Sequence, residues 1–253
     1  MDLNLKNKFI QKWEKYFPDA EYPLVFYYTD DKSRGTPIES NEKWHCLIGD
    51  LNRVRNGRNA IFESATIGCS GARENLGYPV EERLDFEYFL SCGRAGEIEG
   101  IRHKKNPELV RKMQAARPAF KAPDKYIVFK RWDNLDRDDH PVSAIFFAAP
   151  DTLAGLFSLA NFDEVDLQAV ITPSCAGCAS IVAYPYLEYQ STHPRSVIGM
   201  FDISARPYVD PCHLTFSVSL TKLVVMIDNM DESFLITDRW EKIAGRMRRN
   251  RIE

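Results

Sequence analysis

A short apolar stretch that ends at a proline indicates the fold class of this chain, and it runs Ser143-Ala144-Ile145-Phe146-Phe147-Ala148-Ala149-Pro150. An apolar run of this length, bounded by a turn-forming residue, is typical of a buried β-strand. The following residues predict a helix over 152–159, with Asp151 as its candidate N-cap. The apolar side chains of that helix are Leu153, Leu156 and Phe157. The stretch therefore predicts a strand followed by a helix.

A second segment, closer to the C-terminus, has the same pattern and runs His213-Leu214-Thr215-Phe216-Ser217-Val218-Ser219. The helix predicted after it has its apolar residues at Leu223, Val224, Met226 and Ile227. Two such units predict one mixed β-sheet with helices packed on it, in the α/β or α+β class. Their similarity is explained either by a weak internal duplication or by the pattern that any α/β unit shows.

The other hydrophobic patterns extend this architecture in both directions along the chain. They predict further strands over 22–28, 60–66, 126–132, 167–172 and 197–203. They predict further helices over 3–17, 42–55, 79–90, 107–116 and 240–252. Because no low-complexity linker interrupts these patterns, we expect a single mixed α/β domain over residues 1–253.

Composition and charge restrict the classes of partner. The chain is 44% hydrophobic and 27% charged, which is ordinary for a globular protein, and its net charge of −3 gives no support to binding of nucleic acid or anionic membranes. No apolar run approaches the roughly 20 residues that cross a bilayer, and the first residues lack an apolar signal core. We therefore expect a cytoplasmic protein without a nucleic-acid or membrane partner, whose partner is an unidentified small molecule or redox protein.

Two cysteine-bearing segments stand out as candidate sites. The segment 172–180 contains Cys175 and Cys178 at Cys-x-x-Cys spacing, with Ser174 as a candidate helix N-cap. The segment 68–77 contains Cys69 among glycines and small residues where a strand gives way to a helix. Amides at a helix start favour a thiolate, and small neighbours allow a bulky group to approach the backbone.

These thiols suggest a soft-metal site. Four thiolates are the usual ligand set of a cubane cluster or a structural zinc site. The best set is one cysteine from the glycine-rich junction, one beside Gly93 and the Cys-x-x-Cys pair, which are Cys69, Cys92, Cys175 and Cys178. Cys46 and Cys212 are alternatives to Cys92. The first hypothesis is thus a [4Fe–4S] protein for electron transfer, sensing or chemistry on a small anion, with zinc as the alternative metal.

Two other hypotheses remain open. The pair Cys175 and Cys178 suits a metal-free dithiol oxidoreductase, because a Cys-x-x-Cys at a helix start is the thioredoxin-like arrangement. Alternatively, the chain is a small-molecule binding module whose cysteines are incidental. Arg73 and Arg206 lie in predicted loops, where a guanidinium is suited to bind a carboxylate or phosphate of a cofactor, or to form a surface ion pair. No acid–base pair stands out, so the sequence leaves open whether the protein is an enzyme.

The motifs together resemble the family catalogued as domain of unknown function 169 (DUF169). The likeness covers residues 20–250 and rests on Gly68-Cys69-Ser70-Gly71-Ala72, on Leu76-Gly77, and on Cys175 and Cys178 ahead of Ala183-Tyr184-Pro185-Tyr186. The resemblance implies a soluble bacterial or archaeal protein and no particular reaction. It also implies that the segments around Cys69 and around Cys175 and Cys178 matter.

Overall fold

The computed structural model of the chain describes residues 1–38, 44–81 and 83–249. The chain divides into two compact units. The larger unit consists of Met1–Tyr78 and Lys121–Glu253, and the smaller one of Pro79–Phe120. The prediction of a single domain over 1–253 stays a prediction.

The larger unit contains an eight-stranded mixed sheet, which confirms the predicted fold class. Its strand order is β2-β3-β4-β1-β5-β8-β7-β6, with β2–β3 and β6–β7 parallel and the other pairs antiparallel. The strands are β1 Leu24–Thr29, β2 Thr36–Pro37, β3 Ala60–Glu63, β4 Tyr126–Arg131, β5 Ser143–Ala148, β6 Val170–Ile171, β7 Ser196–Gly199 and β8 Leu214–Ser219.

Helices pack around the sheet or form the smaller unit. Those of the larger unit are α1 Leu3–Tyr16, α2 Leu47–Arg55, α3 Ser70–Asn75, α6 Pro150–Ala160, a π-helix over Ala179–Ala183 that leads into α7 Tyr184–Tyr189, α8 Leu220–Asn229 and α9 Asp238–Arg249. The smaller unit contains α4 Phe86–Leu90 and α5 Pro107–Ala116. No helix in the described ranges combines the length and the apolar character that crossing a bilayer requires.

The two strand–helix units lie side by side at the centre of the sheet. Strand β5 pairs with β8, and Phe146 lies opposite Phe216. Side chains on this face of the sheet are buried in one apolar core together with residues of α1, α6, α8 and α9. The largest fully buried side chains of that core include Phe9, Trp13 and Trp132. Alternate positions of β5 and β8 face the other way, because successive side chains of a strand point to opposite faces.

Several element ends differ from their predictions. Helix α6 begins at Pro150, which is favoured at the first helical position, so Asp151 lies in the first turn and is not the N-cap. The strands predicted over 167–172 and 197–203 are shorter, at Val170–Ile171 and Ser196–Gly199. Helix α2 begins at Leu47, and the predicted start at 42 lies outside the described residues.

Candidate functional site

Cys46 and Cys69 are both N-cap residues. Cys46 precedes α2, whose buried residues are Leu47, Ile48, Leu51 and Val54. Cys69 precedes the six-residue helix α3, at the junction where the sequence predicted a helix start. Both have extended backbone dihedral angles, as is usual for an N-cap, and neither side chain forms a capping hydrogen bond. Two thiols are thus placed at helix starts in the larger unit.

The Cys-x-x-Cys pair is arranged differently from its prediction. Helical geometry begins at Gly177, so Ser174 lies too far upstream to act as the N-cap, and Cys175 lies before the helix. Cys178 has helical dihedral angles and leads directly into the π-helix. The amide of Gly177 donates to a carboxylate oxygen of Asp202 at 3.0 Å, which ties this helix start to the 200–208 loop. A π-helix is rare and often occurs at a functional site.

Four of the six thiols have neighbours in common, and we call them the thiol cluster: Cys69 acts on the pKa of Cys46 and of Cys178, and Asp202 acts on Cys46, Cys175 and Cys178. Cys178 is close enough to Cys69 and Cys46 for their negative charge to raise its pKa, and Asp202 acts on Cys175 in the same way. The side-chain amide of Asn75 donates to the sulfur of Cys178 at 3.4 Å. The structure therefore brings Cys46, rather than Cys92, to the predicted cysteines.

Burial keeps three of these thiols protonated at neutral pH. It raises the pKa of Cys175 and of Cys178 to about 12, and nearby negative charge adds to the effect while the Asn75 amide opposes it. Burial also raises the pKa of Cys46, although the amides of Ile48 and Gly49 act in the opposite direction. The expectation of thiolates at these helix starts is therefore not met, because desolvation outweighs the helix-start amides.

The prediction that this chain is an iron–sulfur protein is wrong. Within residues 1–38, 44–81 and 83–249, no three or more histidine, cysteine, aspartate or glutamate side chains are grouped so that they could hold a metal ion. Cys92 belongs to the smaller unit, where it follows α4 and is exposed. The dithiol alternative is not supported either, because burial raises the pKa of both Cys175 and Cys178 to about 12 and so removes the thiolate that such chemistry needs. A [4Fe–4S] cluster, or zinc, as cofactor stays a prediction, and none of these contacts supports it.

The two arginines predicted to bind a cofactor both contact the backbone. The Nε atom of Arg73 donates to the carbonyl of Ile67 at 2.9 Å. The guanidinium of Arg206 donates to the carbonyls of His213, Pro211 and Asp210 at 2.6, 2.8 and 3.2 Å. These bonds hold the loops on which the arginines lie, and a ligand role for either residue stays a prediction.

Sequence reasoning missed a histidine–aspartate pair beside the thiol cluster. The Nδ1 atom of His45 lies 2.6 Å from a carboxylate oxygen of Asp50. The Nε2 atom of His45 is buried and has no hydrogen-bond partner among the described residues. Burial raises the pKa of Asp50, and His45 partly offsets this. The available signal was an aspartate in the first turn of a helix, five residues after a histidine.

Gly68 packs directly on the ring of this histidine. A Cβ atom added to Gly68 would lie 2.4 Å from Cδ2 and 2.5 Å from Nε2 of His45. Only glycine allows this approach, since real Cβ atoms do not come so close to other heavy atoms. Because Cys69 is the next residue, the unpartnered edge of the imidazole faces the backbone that carries the Cys69 thiol.

Comparison with known proteins identifies a family but no characterised relative. A family model described as uncharacterised ArCR, domain of unknown function 169, matches residues 19–229. Neither a curated protein nor a solved structure matches the chain. The match covers most of the chain, including all four residues of the thiol cluster. The chain therefore belongs to the DUF169 family.

Proposed function

We propose that this protein is a cysteine-dependent enzyme in which Cys69 is the nucleophile, His45 its general base and Asp50 the residue that orients the imidazole. The observation that carries the proposal is the His45–Asp50 pair, whose buried Nε2 atom has no partner within the described ranges and lies against Gly68, the residue before Cys69. A nucleophile, a base and a third group that orients the base form the usual arrangement for covalent catalysis.

The contact between Gly68 and His45 limits the distance between Cys69 and this base. The hypothetical Cβ of Gly68 is 2.5 Å from Nε2, and consecutive Cα atoms are about 3.8 Å apart, so the Cα of Cys69 lies within about 8 Å of Nε2. Among the described residues the two side chains do not yet form a hydrogen bond. Catalytic hydrogen bonds are often long or unformed without substrate.

Cys69 differs from the other members of the thiol cluster in ways that suit a nucleophile. It directly follows Gly68, which packs on the His45 ring, and it is followed by three small residues, Ser70, Gly71 and Ala72. Cys46, Cys175 and Cys178 have raised pKa values and stay protonated at neutral pH. Since the thiolate is the reactive form of cysteine, these three are poor nucleophiles.

The reaction class that fits these roles is acyl transfer to water. His45 Nε2 takes the thiol proton, and the sulfur attacks the carbonyl carbon of the substrate to form a C–S bond. The bond between that carbon and the leaving group breaks, and the leaving group takes the proton from His45. Water then cleaves the thioester, which releases the acid and restores the thiol.

The free state of all six cysteines supports the cytoplasmic location expected from the sequence.

The test is alkylation by iodoacetamide, with the label at each cysteine quantified by peptide mass spectrometry. Cys92 and Cys212 are exposed, so both are replaced by serine in every protein compared. At pH 7 we expect Cys69 to react roughly tenfold or more faster than the other three thiols. His45→Asn should slow Cys69 at least tenfold, because the base is lost.

Two controls separate a catalytic pair from a structural one. His193→Asn changes an exposed histidine and should leave the rate at Cys69 unchanged. Asp50→Asn should shift the pH profile of Cys69 alkylation without unfolding the protein, since Asp50 acts through His45. Equal labelling of all four thiols, or a Cys69 rate that is the same with and without His45, would show that the proposal is wrong.

A further inference from the structure

Helix α6 lies at the surface of the larger unit but has the composition of a buried helix. Asp151, in its first turn, is the only charged residue among Pro150–Ala160. One face of the helix packs on the apolar core through fully buried residues such as Leu156. The positions on its other face are exposed, and they are Ala154, Phe157 and Ser158. The outer face of a surface helix normally carries charged residues, so this one is suited to a partner.

The segment that follows α6 extends this apolar surface. The amide of Phe162 donates to the carbonyl of Leu159 at 3.2 Å, so the chain continues to turn past the end of the helix. Phe162 is 44% exposed, Val165 96% and Leu167 94%. One exposed apolar side chain is ordinary, but several close together mark an interaction site. We call the following exposed residues the α6 surface: Ala154, Phe157, Ser158, Phe162, Val165 and Leu167.

The end of the α6 surface that follows the helix is negatively charged. The acids of residues 161–169 are Asp163, Glu164 and Asp166, and this range contains no basic residue. Lys222 donates to Glu164 at 2.5 Å, which neutralises that acid and holds the segment on α8. Arg195, the cation that Asp166 acts on, is bonded to Glu188 at 2.6 Å. Four acids and two cations leave a charge of −2.

The opposite end of the α6 surface is positively charged because α9 ends there. A Cβ atom added to Gly155 would lie 2.3 Å from Trp240, near the start of α9, whereas Nε of Arg246 donates to Asp151 at 2.8 Å. Helix α9 therefore runs antiparallel to α6, and its exposed Arg246 and Arg248 lie toward the start of α6. The five cations of α9, its two acids and Asp151 leave a charge of +2.

A second copy of this chain complements both ends at once. Two-fold dimers use the same surface of both copies, and they are the commonest oligomers. When two α6 helices pack antiparallel, the end of each lies beside the start of the other. The acidic segment of each copy then meets the basic end of α9 in the other copy, and the apolar side chains cover one another. Nucleic acid and anionic membranes do not suit a surface whose most exposed apolar residues, Val165 and Leu167, are flanked by acids.

We propose that this protein forms a two-fold homodimer through the α6 surface, with residues 162–167 of each copy against the basic end of α9 of the other copy. The test is sedimentation velocity of the full chain over a series of micromolar concentrations. We expect a species of twice 29.1 kDa, the mass of one chain, whose dissociation constant rises with salt.

Substitution of the exposed apolar residues tests the surface. The double variant Val165→Asp with Leu167→Asp should fold like the parent, since both side chains are almost fully exposed, and should raise the dissociation constant roughly tenfold or more. The matched double variant Leu84→Asp with Ile203→Asp changes two exposed apolar residues outside the α6 surface and should dimerise like the parent.

Charge reversal tests how the two copies are oriented. Asp163→Lys with Asp166→Lys, and separately Arg246→Glu with Arg248→Glu, should each raise the dissociation constant roughly tenfold, because like charges then meet. The variant that combines all four substitutions should recover most of the affinity, since opposite charges meet again.

The outcomes separate this dimer from other associations. Dimerisation that is lost in the Val165 and Leu167 variant and recovered in the combined reversal supports the proposal. A monomer at every concentration, equal weakening by both apolar double variants, or a combined reversal as weak as either reversal alone would each overturn it. Because no residue of the α6 surface belongs to the thiol cluster, these outcomes are independent of the alkylation experiment.

Discussion

Asp139 and its partners Tyr27, Arg34 and Lys130, which we call the Asp139 cluster, bury titratable groups in the opposite way to the thiol cluster. In the Asp139 cluster the charges are kept, since Asp139 is bonded by Tyr27, Arg34 and Lys130 and its pKa is lowered. In the thiol cluster the charge is removed, since burial raises the pKa of Cys175 and Cys178 so that both stay protonated. A buried charge needs partners, whereas a buried thiol only needs to hold its proton.

The difference indicates where reactivity is to be expected. Groups whose bonds are all satisfied stabilise and rigidify the fold, as Asp139 does. His45 differs, because its Nδ1 is held by Asp50 while its buried Nε2 has no partner in the part of the chain that the structure describes. An ionisable group that is oriented but only half satisfied is a functional candidate.

The largest loss of stability is expected from a substitution in the Asp139 cluster. Asp139→Asn leaves the buried ammonium of Lys130 without its closest carboxylate, and should lower the free energy of unfolding by about 3–5 kcal/mol. Asp136→Asn, at a position whose side chain is 51% exposed, should cost about 1 kcal/mol or less. Urea denaturation at pH 7 measures both. Equal costs would contradict the view that burial of the charge makes the difference.

A smaller loss of stability is expected from a substitution at the contact between Gly68 and the His45 ring. Gly68→Ala places a methyl group against the His45 ring and should destabilise the protein by about 1–3 kcal/mol, because the ring has to move. Gly71→Ala is the matched control, since its Cβ would meet only the sulfur of Cys69 at 3.7 Å. Thermal unfolding compares the two variants. A neutral Gly68→Ala would show that the ring is not packed against this backbone.

The smallest change in the free energy of unfolding is expected from each buried thiol as the pH becomes alkaline. The folded state holds the protons of Cys175 and Cys178 up to a pKa of about 12, whereas an unfolded chain releases them near pH 8.5. Stability is therefore unaffected below about pH 8 and falls as pH rises toward 12. Between pH 9 and 10, ionisation of each thiol in the unfolded chain should lower the free energy of unfolding by about 1 kcal/mol, because one pKa unit represents 1.36 kcal/mol.

Replacing both thiols tests this pH dependence. The double variant Cys175→Ala with Cys178→Ala should show a fall in stability between pH 9 and 10 that is smaller by about 2 kcal/mol, and Cys92→Ala, at an exposed site, should retain the full fall. Denaturant unfolding at a series of pH values gives the slope. Buried tyrosines, whose pKa values are also raised in the folded state, add to the fall in stability above pH 9, but they do so in all three proteins, so the difference between the variants isolates the two thiols. An unchanged slope would mean that the two thiols are as solvated as in the unfolded chain.

Hydrophobic pattern determined much of the fold in advance. The apolar runs of β5 and β8 predicted two strands, and the helical spacing of Leu223, Met226 and Ile227 predicted α8. These properties are local, because alternation and helical spacing are set by neighbours in the chain. The ends of elements were less well predicted, as at Ser174, where the helix begins later because Gly177 is tied to Asp202.

The sequence by itself therefore determined the family, the mixed α/β class and three of the cysteines that meet. Only the tertiary structure decided that Cys46 joins them while Cys92 lies in the smaller unit, and that Gly68 meets His45. The physical reason is that these contacts join segments far apart in the chain, and packing rather than local pattern selects them. Burial, which arises from the same packing, also decided that the thiols stay protonated.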